Sequence, residues 1–316
     1  LSPFADPVVI TDSIESAESA SAEFAGFRVY GSTLADAWLK LLDAVMKFGE
    51  IKESDYKIKQ RELLDIVAVV EKPDKDELPE FLGISREQLE DYVNTFFSPS
   101  KPKGVEYTYG ERLFAYPLSK KTSDKARNEF ERIVDPINIA EEKLRSSPFT
   151  RRSVAVTWNV RQDISSENPP CLVSVMFNIK FGKLYLTAQF RSHDIYGAWF
   201  LNAYALAKLQ SKVAKDLGVG VGKLVIFSVS AHVYENNWQK AKQIIEENYL
   251  GKESPFLQDP LGYFVIEIDR QRNVIVVRHK LNDGRDSGYI FEGTSAERLY
   301  KKVLHEQLVS VMEHAA

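Results

Sequence analysis

The side chains in this chain that could do chemistry gather in four short runs between residues 150 and 234. They are Thr150-Arg151-Arg152, then Asn168-Pro169-Pro170-Cys171, then Arg191-Ser192-His193-Asp194 followed by Asn202, and finally His232-Val233-Tyr234. Cys171 is the single cysteine among 316 residues. A lone thiol forms no intramolecular disulfide, so its chemistry is packing, an intermolecular bridge or nucleophilic attack. Free cysteines are commonly buried and inert, and packing is the first reading for a cysteine on its own. The other groups also have plain readings. The arginine pair reads as solvated charge before a strand, Asp194 as an acid at a helix start, and Asn202 as a polar residue of an early helical turn.

Elements must hold these groups in place. Val173, Val175, Phe177 and Ile179 alternate with polar residues, Phe181-Gly182 turns, and Leu184, Leu186, Ala188 and Phe190 alternate again, which predicts a hairpin delivering Arg191. A helix follows from about Gly197 to Leu217, with Leu206, Leu209, Val213 and Leu217 on one face. The glycines at 218, 220 and 222 end a helix and enter a strand; a phosphate loop follows a strand and opens a helix, so this run reads as a helix stop. The next strand, Leu224 to Tyr234, has an apolar side of Val225, Phe227, Val229, Ala231 and Val233. Its other side carries Ser228, Ser230, His232 and Tyr234, the pattern of a strand between a core and a polar cavity.

Upstream, Gly31-Ser32-Thr33 offers an N-cap for a predicted helix from about Leu34 to Phe48, a strand covers Leu63 to Val70, and a connection from Glu71 to Pro102 holds a helix near Ser85 to Phe97. Downstream, Tyr263 to Ile268 and Val274 to His279 form a predicted hairpin, and a closing helix spans Ser295 to His314. Residues 11–24 are rich in Ser, Ala and Glu, so residues 1–24 read as a flexible or peripheral arm. Residues 25–316 read as one domain. Strands and helices without regular alternation indicate the α+β class.

Composition narrows the function. Hydrophobic residues make up 44% of the chain, enough for a sizeable core. A net charge of -4 gives no global attraction to nucleic acid or an anionic membrane, so an anionic ligand needs a local basic cluster. Leu1 to Asp6 lack the basic and long apolar stretches of a signal peptide, and one thiol suits a reducing compartment. A cytoplasmic protein with no nucleic-acid or membrane partner and no metal is expected.

In order and spacing, the four runs resemble the thymidylate synthase family, which includes pyrimidine nucleotide hydroxymethylases. Tyr107-Thr108-Tyr109-Gly110 is similar to the Tyr-Gly segment of that family. The resemblance implies a mixed sheet packed with helices, one sheet face forming a homodimer interface, and 5,10-methylenetetrahydrofolate as the one-carbon donor. It implies that the Cys171 thiolate adds to C6 of a pyrimidine nucleoside monophosphate and so makes C5 nucleophilic. Arg191 and Ser192 would bind the phosphate from the same chain, with Arg151 and Arg152 supplied by a second subunit. Asn202 would read N3–H and O4 of uracil, because cytosine enzymes of the family tend to place Asp there. Asp194 would lie between pyrimidine and folate, His232 and Tyr234 would bind the sugar 3'-hydroxyl, and Tyr109 would assist removal of the C5 proton.

The chain departs from the family pattern at several points. Leu172 replaces the His that commonly follows the nucleophile, and Phe190 replaces the Gln before Arg-Ser. Residues 50–110 contain no Trp, where many thymidylate synthases carry a pair. Glu62 and Glu71 are the candidates for the catalytic Glu, and the carboxyl end is longer than usual. These differences resemble the archaeal-type branch or a hydroxymethylase. Thymidylate formation from deoxyuridylate is the leading expectation. A 5-hydroxymethylase acting on deoxyuridylate, deoxycytidylate or cytidylate and a non-catalytic nucleotide-binding homologue are its rivals.

Overall fold

The computed structural model describes residues 8–11, 26–118, 132–249, 259 and 261–309. The elements from the amino end are β1 (Val8–Thr11), β2 (Arg28–Gly31), α1 (Leu34–Phe48), β3 (Glu50–Glu53), β4 (Lys59–Val70), α2 (Arg86–Phe97), α3 (Tyr109–Phe114) and β5 (Tyr116–Leu118). The middle of the chain supplies β6 (Arg132–Val134), α4 (Pro136–Ser146), β7 (Val154–Val156), α5 (Val160–Asp163), β8 (Leu172–Lys180), β9 (Lys183–Phe190), β10 (His193–Asp194) and α6 (Trp199–Leu217). The last are β11 (Gly220–Tyr234), α7 (Trp238–Asn248), β12 (Tyr263–Asp269), β13 (Val274–Lys280), β14 (Asp286–Gly293) and α8 (Ala296–His305).

Two compact units result, residues 30–250 and residues 1–29 with 251–316. This departs from the single domain expected over residues 25–316. The reason is a long-range pairing: β1 lies parallel to β14, Val8 opposite Tyr289, so both chain ends enter one sheet. Residues 8–11 of the expected peripheral arm are therefore a strand, and the rest of that arm lies outside the described residues.

The larger unit is built on a mixed sheet in the order β2-β4-β11-β9-β8-β7, with β10 beside β11 and β3 beside β4. β11 runs antiparallel to β4 and parallel to β9. The β8–β9 hairpin turns at Phe181 and Gly182, both at positive φ (52° and 68°), as a two-residue turn between twisted strands requires. Thr33 caps α1 by accepting from the Asp36 amide at 3.3 Å, and Trp38, Leu41, Leu42 and Val45 form its buried stripe. Gly218 ends α6 at φ 68°, its N–H reaching the Ala214 and Lys215 carbonyls, which agrees with the helix-stop reading.

One prediction about β11 holds only in part. Ala231 and Val233 of the expected apolar side are fully buried, but over residues 224–229 the buried side is Leu224, Ile226 and Ser228, and Val225, Phe227 and Val229 are only half-buried. Within one chain, the apolar face expected to border the core is left partly uncovered.

The smaller unit has the order β1-β14-β13-β12. Leu299 and Val303 of α8 pack against Val277 and Phe291. The hairpin forms as expected, β14 adds a strand the pattern reading omits, and the last helix stops at His305 rather than His314. Gln307 at φ 53° follows it, and residues 310–316 lie outside the described residues. No helix among the described residues is long and apolar enough to cross a membrane.

Gly110, second in α3, is packed at backbone distance against the end of α2. A Cβ there would lie 2.1 Å from the Ser98 carbonyl oxygen and 2.7 Å from that of Thr95. Gly110→Ala is therefore expected to lower stability by about 1–3 kcal/mol, read as a lower denaturant midpoint. An unchanged midpoint would contradict this packing.

Candidate active site

Cys171 enters β8 from a rigid turn. Proline lacks an N–H and fixes φ, so Pro169-Pro170 holds its shape but presents carbonyls that need donors. Arg191, at the end of β9, supplies them: Nε donates to Pro170 O at 3.0 Å and Nη2 to Pro169 O at 2.7 Å. The same Nη2 lies 3.8 Å from Cys171 Sγ, and the Arg191 amide donates to Cys171 O at 2.9 Å. One guanidinium thus buttresses the turn and sits beside the thiol. Cys171 is a free, half-buried cysteine. Burial pushes its thiol above the ordinary 9.0, and the Arg191 charge pulls the other way.

Tyrosines surround the sulfur. Tyr109 Oη accepts from the Leu172 amide at 3.3 Å, and the Tyr107 and Tyr109 rings lie 5.8 Å apart. Burial raises the phenols of Tyr92, Tyr107 and Tyr109, so all three are neutral. α3 is locked in place by Arg112, whose guanidinium forms a bidentate, almost wholly buried pair with Asp163 (2.8 and 3.2 Å) and also donates to Thr157 O. Such a pair is strongly destabilising to break from one side.

Three adjacent strands carry a polar row. Asp194 of β10 is in register with His232 of β11, and His232 with Glu62 of β4. Asp194 Oδ1 accepts from the amides of Tyr196 (3.1 Å) and Gly197 (3.0 Å). A Cβ at Gly197 would meet Asp194 Oδ2 at 2.5 Å, so this turn needs glycine. His232 is buried, its Nδ1 has no hydrogen-bond partner among the described residues, and its ring lies 4.9 Å from that of Tyr234. Glu62 accepts from Ser230 Oγ and pairs with Lys52. Glu71 is exposed beyond the end of β4, so Glu62 alone of the two sequence candidates joins the row.

Asn202, on the first turns of α6, is buried. Its Oδ1 accepts from the Tyr92 hydroxyl, and its Nδ2 lies 3.0 Å from His193 Nε2. His193 Nδ1 is in turn 2.9 Å from Ser228 Oγ. Phe190 stacks on the His193 ring at 3.9 Å and meets Tyr109 edge-on at 6.5 Å. The Phe190 and Leu172 departures are thus fully buried packing positions beside the polar chain.

Cys171, Tyr109, Arg191, Ser192, Asp194, Asn202, His232 and Tyr234 all belong to the joined ends of β8, β9, β10 and β11, or to α3 and α6 packed beside them. Arg151 and Arg152 do not. They are exposed and carry no side-chain hydrogen bond or ion pair among the described residues. The neighbouring Ser153 carbonyl accepts from Phe177, six residues along β8 from Cys171 or roughly 20 Å at strand rise. Sequence reasoning left His193 without a role and missed Tyr92 altogether. The polar side of β11 was the available signal for Ser228, whereas nothing in α2 distinguished Tyr92.

Burial holds His193 well below its ordinary 6.5, with His232 adding to the shift, and burial also lowers His232. The folded state therefore favours the neutral rings, and the unfolded chain takes up protons first as pH falls. That stability is present above the unfolded value and is lost on acidification, with a slope of up to about 1.4 kcal/mol per pH unit for each proton. Denaturation midpoints are expected to fall from about pH 7 to about pH 5, less steeply in His193→Phe; parallel pH profiles would contradict the burial. Alkylation of Cys171 by iodoacetamide should still accelerate at pH 9.0, and a plateau reached below that value would count against the raised thiol.

The thymidylate synthase family model matches residues 92–258, and a second family model, PterinBD-DUF4346, matches residues 258–316. A provisionally named thymidylate synthase of Methanosarcina acetivorans is 35% identical over 218 residues, 69% of this chain and 94% of that protein. One from Methanothermobacter marburgensis is 36% identical over 67% of this chain and 95% of its own length. A third, from Methanocaldococcus jannaschii, is 32% identical over 64% of this chain and 88% of its own length. With more than half its length under the first model and with these archaeal relatives, the chain belongs to the thymidylate synthase family, in its archaeal-type branch.

Proposed function

We propose that this protein is a homodimeric thymidylate synthase, transferring a one-carbon unit from methylenetetrahydrofolate to C5 of deoxyuridylate through a Cys171 adduct at C6. Family membership supports pyrimidine C5 transfer in general. The observation that carries the specific reading is the half-buried Cys171 thiol under the Arg191 guanidinium, at the edge of a polar row.

Thiolate addition to C6 sends the C5=C6 electrons toward O4, and the resulting enolate lets C5 attack an electrophilic carbon. Arg191 favours the thiolate against the burial that opposes it. Its Nη1 carries none of the proline contacts and is free to join Ser192 on the nucleotide phosphate. Asn202 retains one N–H and one carbonyl lone pair, the complement of O4 and N3–H of uracil. His232 and Tyr234 hold the sugar hydroxyl, and the Tyr109 hydroxyl assists departure of the C5 proton. When the transfer is complete, Cys171 leaves C6 and the double bond is restored.

Methylenetetrahydrofolate supplies the carbon and, for methyl transfer, the hydride. The residues fit it at Asp194, where Oδ1 is held by two amides and Oδ2 has no hydrogen-bond partner among the described residues, an acceptor suited to a pterin N–H.

The homodimer reading rests on two observations. The half-buried face of Val67, Val225, Phe227 and Val229 is the kind of uncovered apolar sheet surface that a second copy buries. Arg151 and Arg152 stand too far along β8 to serve their own Cys171 and follow Phe149, which is 92% exposed. Hydroxymethylation is the second reading. The absence of Trp from residues 50–110 favours it, because capture of the same C5 methylene by water gives a 5-hydroxymethyl product.

Incubation with 5-tritiated deoxyuridylate and methylenetetrahydrofolate is expected to release tritium and form dihydrofolate. Release without dihydrofolate would replace methyl transfer by hydroxymethylation. No release from deoxyuridylate, deoxycytidylate or cytidylate would leave only the non-catalytic homologue. Cys171→Ser should abolish release. Mixing this variant with an inactive Arg151→Ala/Arg152→Ala variant should restore it through hybrid dimers, and failure to restore would argue against shared sites.

A further inference from the structure

The hydrogen-bond chain Tyr92–Asn202–His193–Ser228 has a direction. An amide nitrogen only donates, so the 3.0 Å contact from Asn202 Nδ2 requires a bare His193 Nε2. The proton of the neutral ring is then on Nδ1 and goes to Ser228 Oγ at 2.9 Å. At the other end, the Tyr92 hydroxyl donates to Asn202 Oδ1. His193, Asn202 and Ser228 are each at most 4% exposed, so water does not substitute for a lost partner, and Phe190 stacked at 3.9 Å fixes the ring plane.

The chain has one alternative. If the imidazole proton moves to Nε2, two donors face each other, and relief requires the Asn202 amide to turn over. Oδ1 then faces His193 and Nδ2 faces Tyr92, whose oxygen also accepts. Ser228 then donates to His193 Nδ1. The two amide orientations present opposite edges to a pyrimidine. Uracil offers a donor at N3 and an acceptor at position 4, whereas cytosine offers an acceptor at N3 and a donor at position 4. A single orientation of the amide therefore accepts one base and opposes the other at both positions.

We propose that His193 is a positioning residue whose Nδ1-protonated tautomer, with Ser228 accepting that proton, holds the Asn202 amide in one orientation and so makes the site select a uracil over a cytosine nucleotide. The proposal rests on the base-reading role of Asn202 in the proposed function. It assigns a role to the one residue of Arg191-Ser192-His193-Asp194 that neither the phosphate nor the folate requires. Burial keeps the ring neutral, so one ring nitrogen stays bare, and the contact from Asn202 Nδ2 makes it Nε2. The charged and titratable neighbours that bear on the ring are His232 and, through Asn202, Tyr92.

The test uses the full chain in two measurements. Nitrogen-15 NMR of histidine-labelled protein should show His193 neutral with its proton on Nδ1; an Nε2-protonated or charged ring overturns the inference whatever the enzyme's substrate. Calorimetric titration with deoxyuridylate and deoxycytidylate then gives the ratio of their dissociation constants. His193→Gln keeps a polar side chain without a fixed polarity, and Ser228→Ala frees the tautomer with a smaller change to the fold. In each, the ratio should fall by about tenfold or more, the equivalent of one lost orienting hydrogen bond. A merely structural role weakens both nucleotides alike and leaves the ratio unchanged, and that result in Ser228→Ala overturns the inference while sparing the proposed function. Wild-type protein that binds neither nucleotide overturns the proposed function itself.

Discussion

The register of β11 is the constraint on which the site depends. This strand hydrogen-bonds to β4, β9 and β10, and its pairing with β4 keeps one register from Leu224 opposite Val70 to Tyr234 opposite Gln60, interrupted only at Val229, where Asp65 takes φ 56°. Side chains alternate with period two, so a slip of one residue would turn Ser228, Ser230, His232 and Tyr234 to the other face together. The same register places Asp194, His232 and Glu62 in a line across three strands and Phe190 opposite Ser228. Such a slip would also bury polar groups away from their partners while exposing Leu224 and Ile226, and each change opposes it.

Within that frame, burial and ionisation pull against each other. The site keeps its sulfur, three phenols and two imidazoles in surroundings that favour their uncharged forms. A neutral thiol is a poor nucleophile, so the arrangement stores little reactivity in the free protein. Arg191 is the opposing charge, and its hold on the two proline carbonyls fixes where that charge stands relative to Sγ. A cation pre-set in this way costs no reorganisation when negative charge develops on sulfur. Its half-buried position beside neutral tyrosines gives the interaction a lower effective dielectric than a fully exposed pair has.

How much of this was legible in the sequence depends on the range of the interaction. Periodicity and capping residues identify α1, α2, the β8–β9 hairpin and α6 with its glycine stop, because each is decided by neighbours within a few positions. The spacing of Cys171, Arg191, Asn202 and His232 singles out residues that the fold does bring to one end of the sheet. Two things were hidden. The half-buried face of Val225, Phe227 and Val229 looks in sequence like any core strand, since partly covered apolar residues carry the same pattern as fully buried ones. The pairing of β1 with β14 joins segments from opposite ends of the chain and has no local signal at all, which is why a boundary drawn along the sequence placed the second unit inside the first.

The departures from the family pattern gain a physical sense when taken together. Leu172 and Phe190 stand where the family pattern carries polar side chains, and both are fully buried apolar residues near Cys171. The role proposed for Asn202 requires its amide to be held in one orientation, and apolar neighbours offer no hydrogen bond to hold it. His193 continues along the same edge of β11 three residues beyond Phe190, stacks on that ring, and meets the Asn202 amide at Nδ2 while Tyr92 meets it at Oδ1. The aromatic ring at position 190 therefore braces the imidazole that contacts Asn202. A residue that looks like a loss in a linear motif is, in the folded chain, packing that supports the Tyr92–Asn202–His193–Ser228 hydrogen bonds.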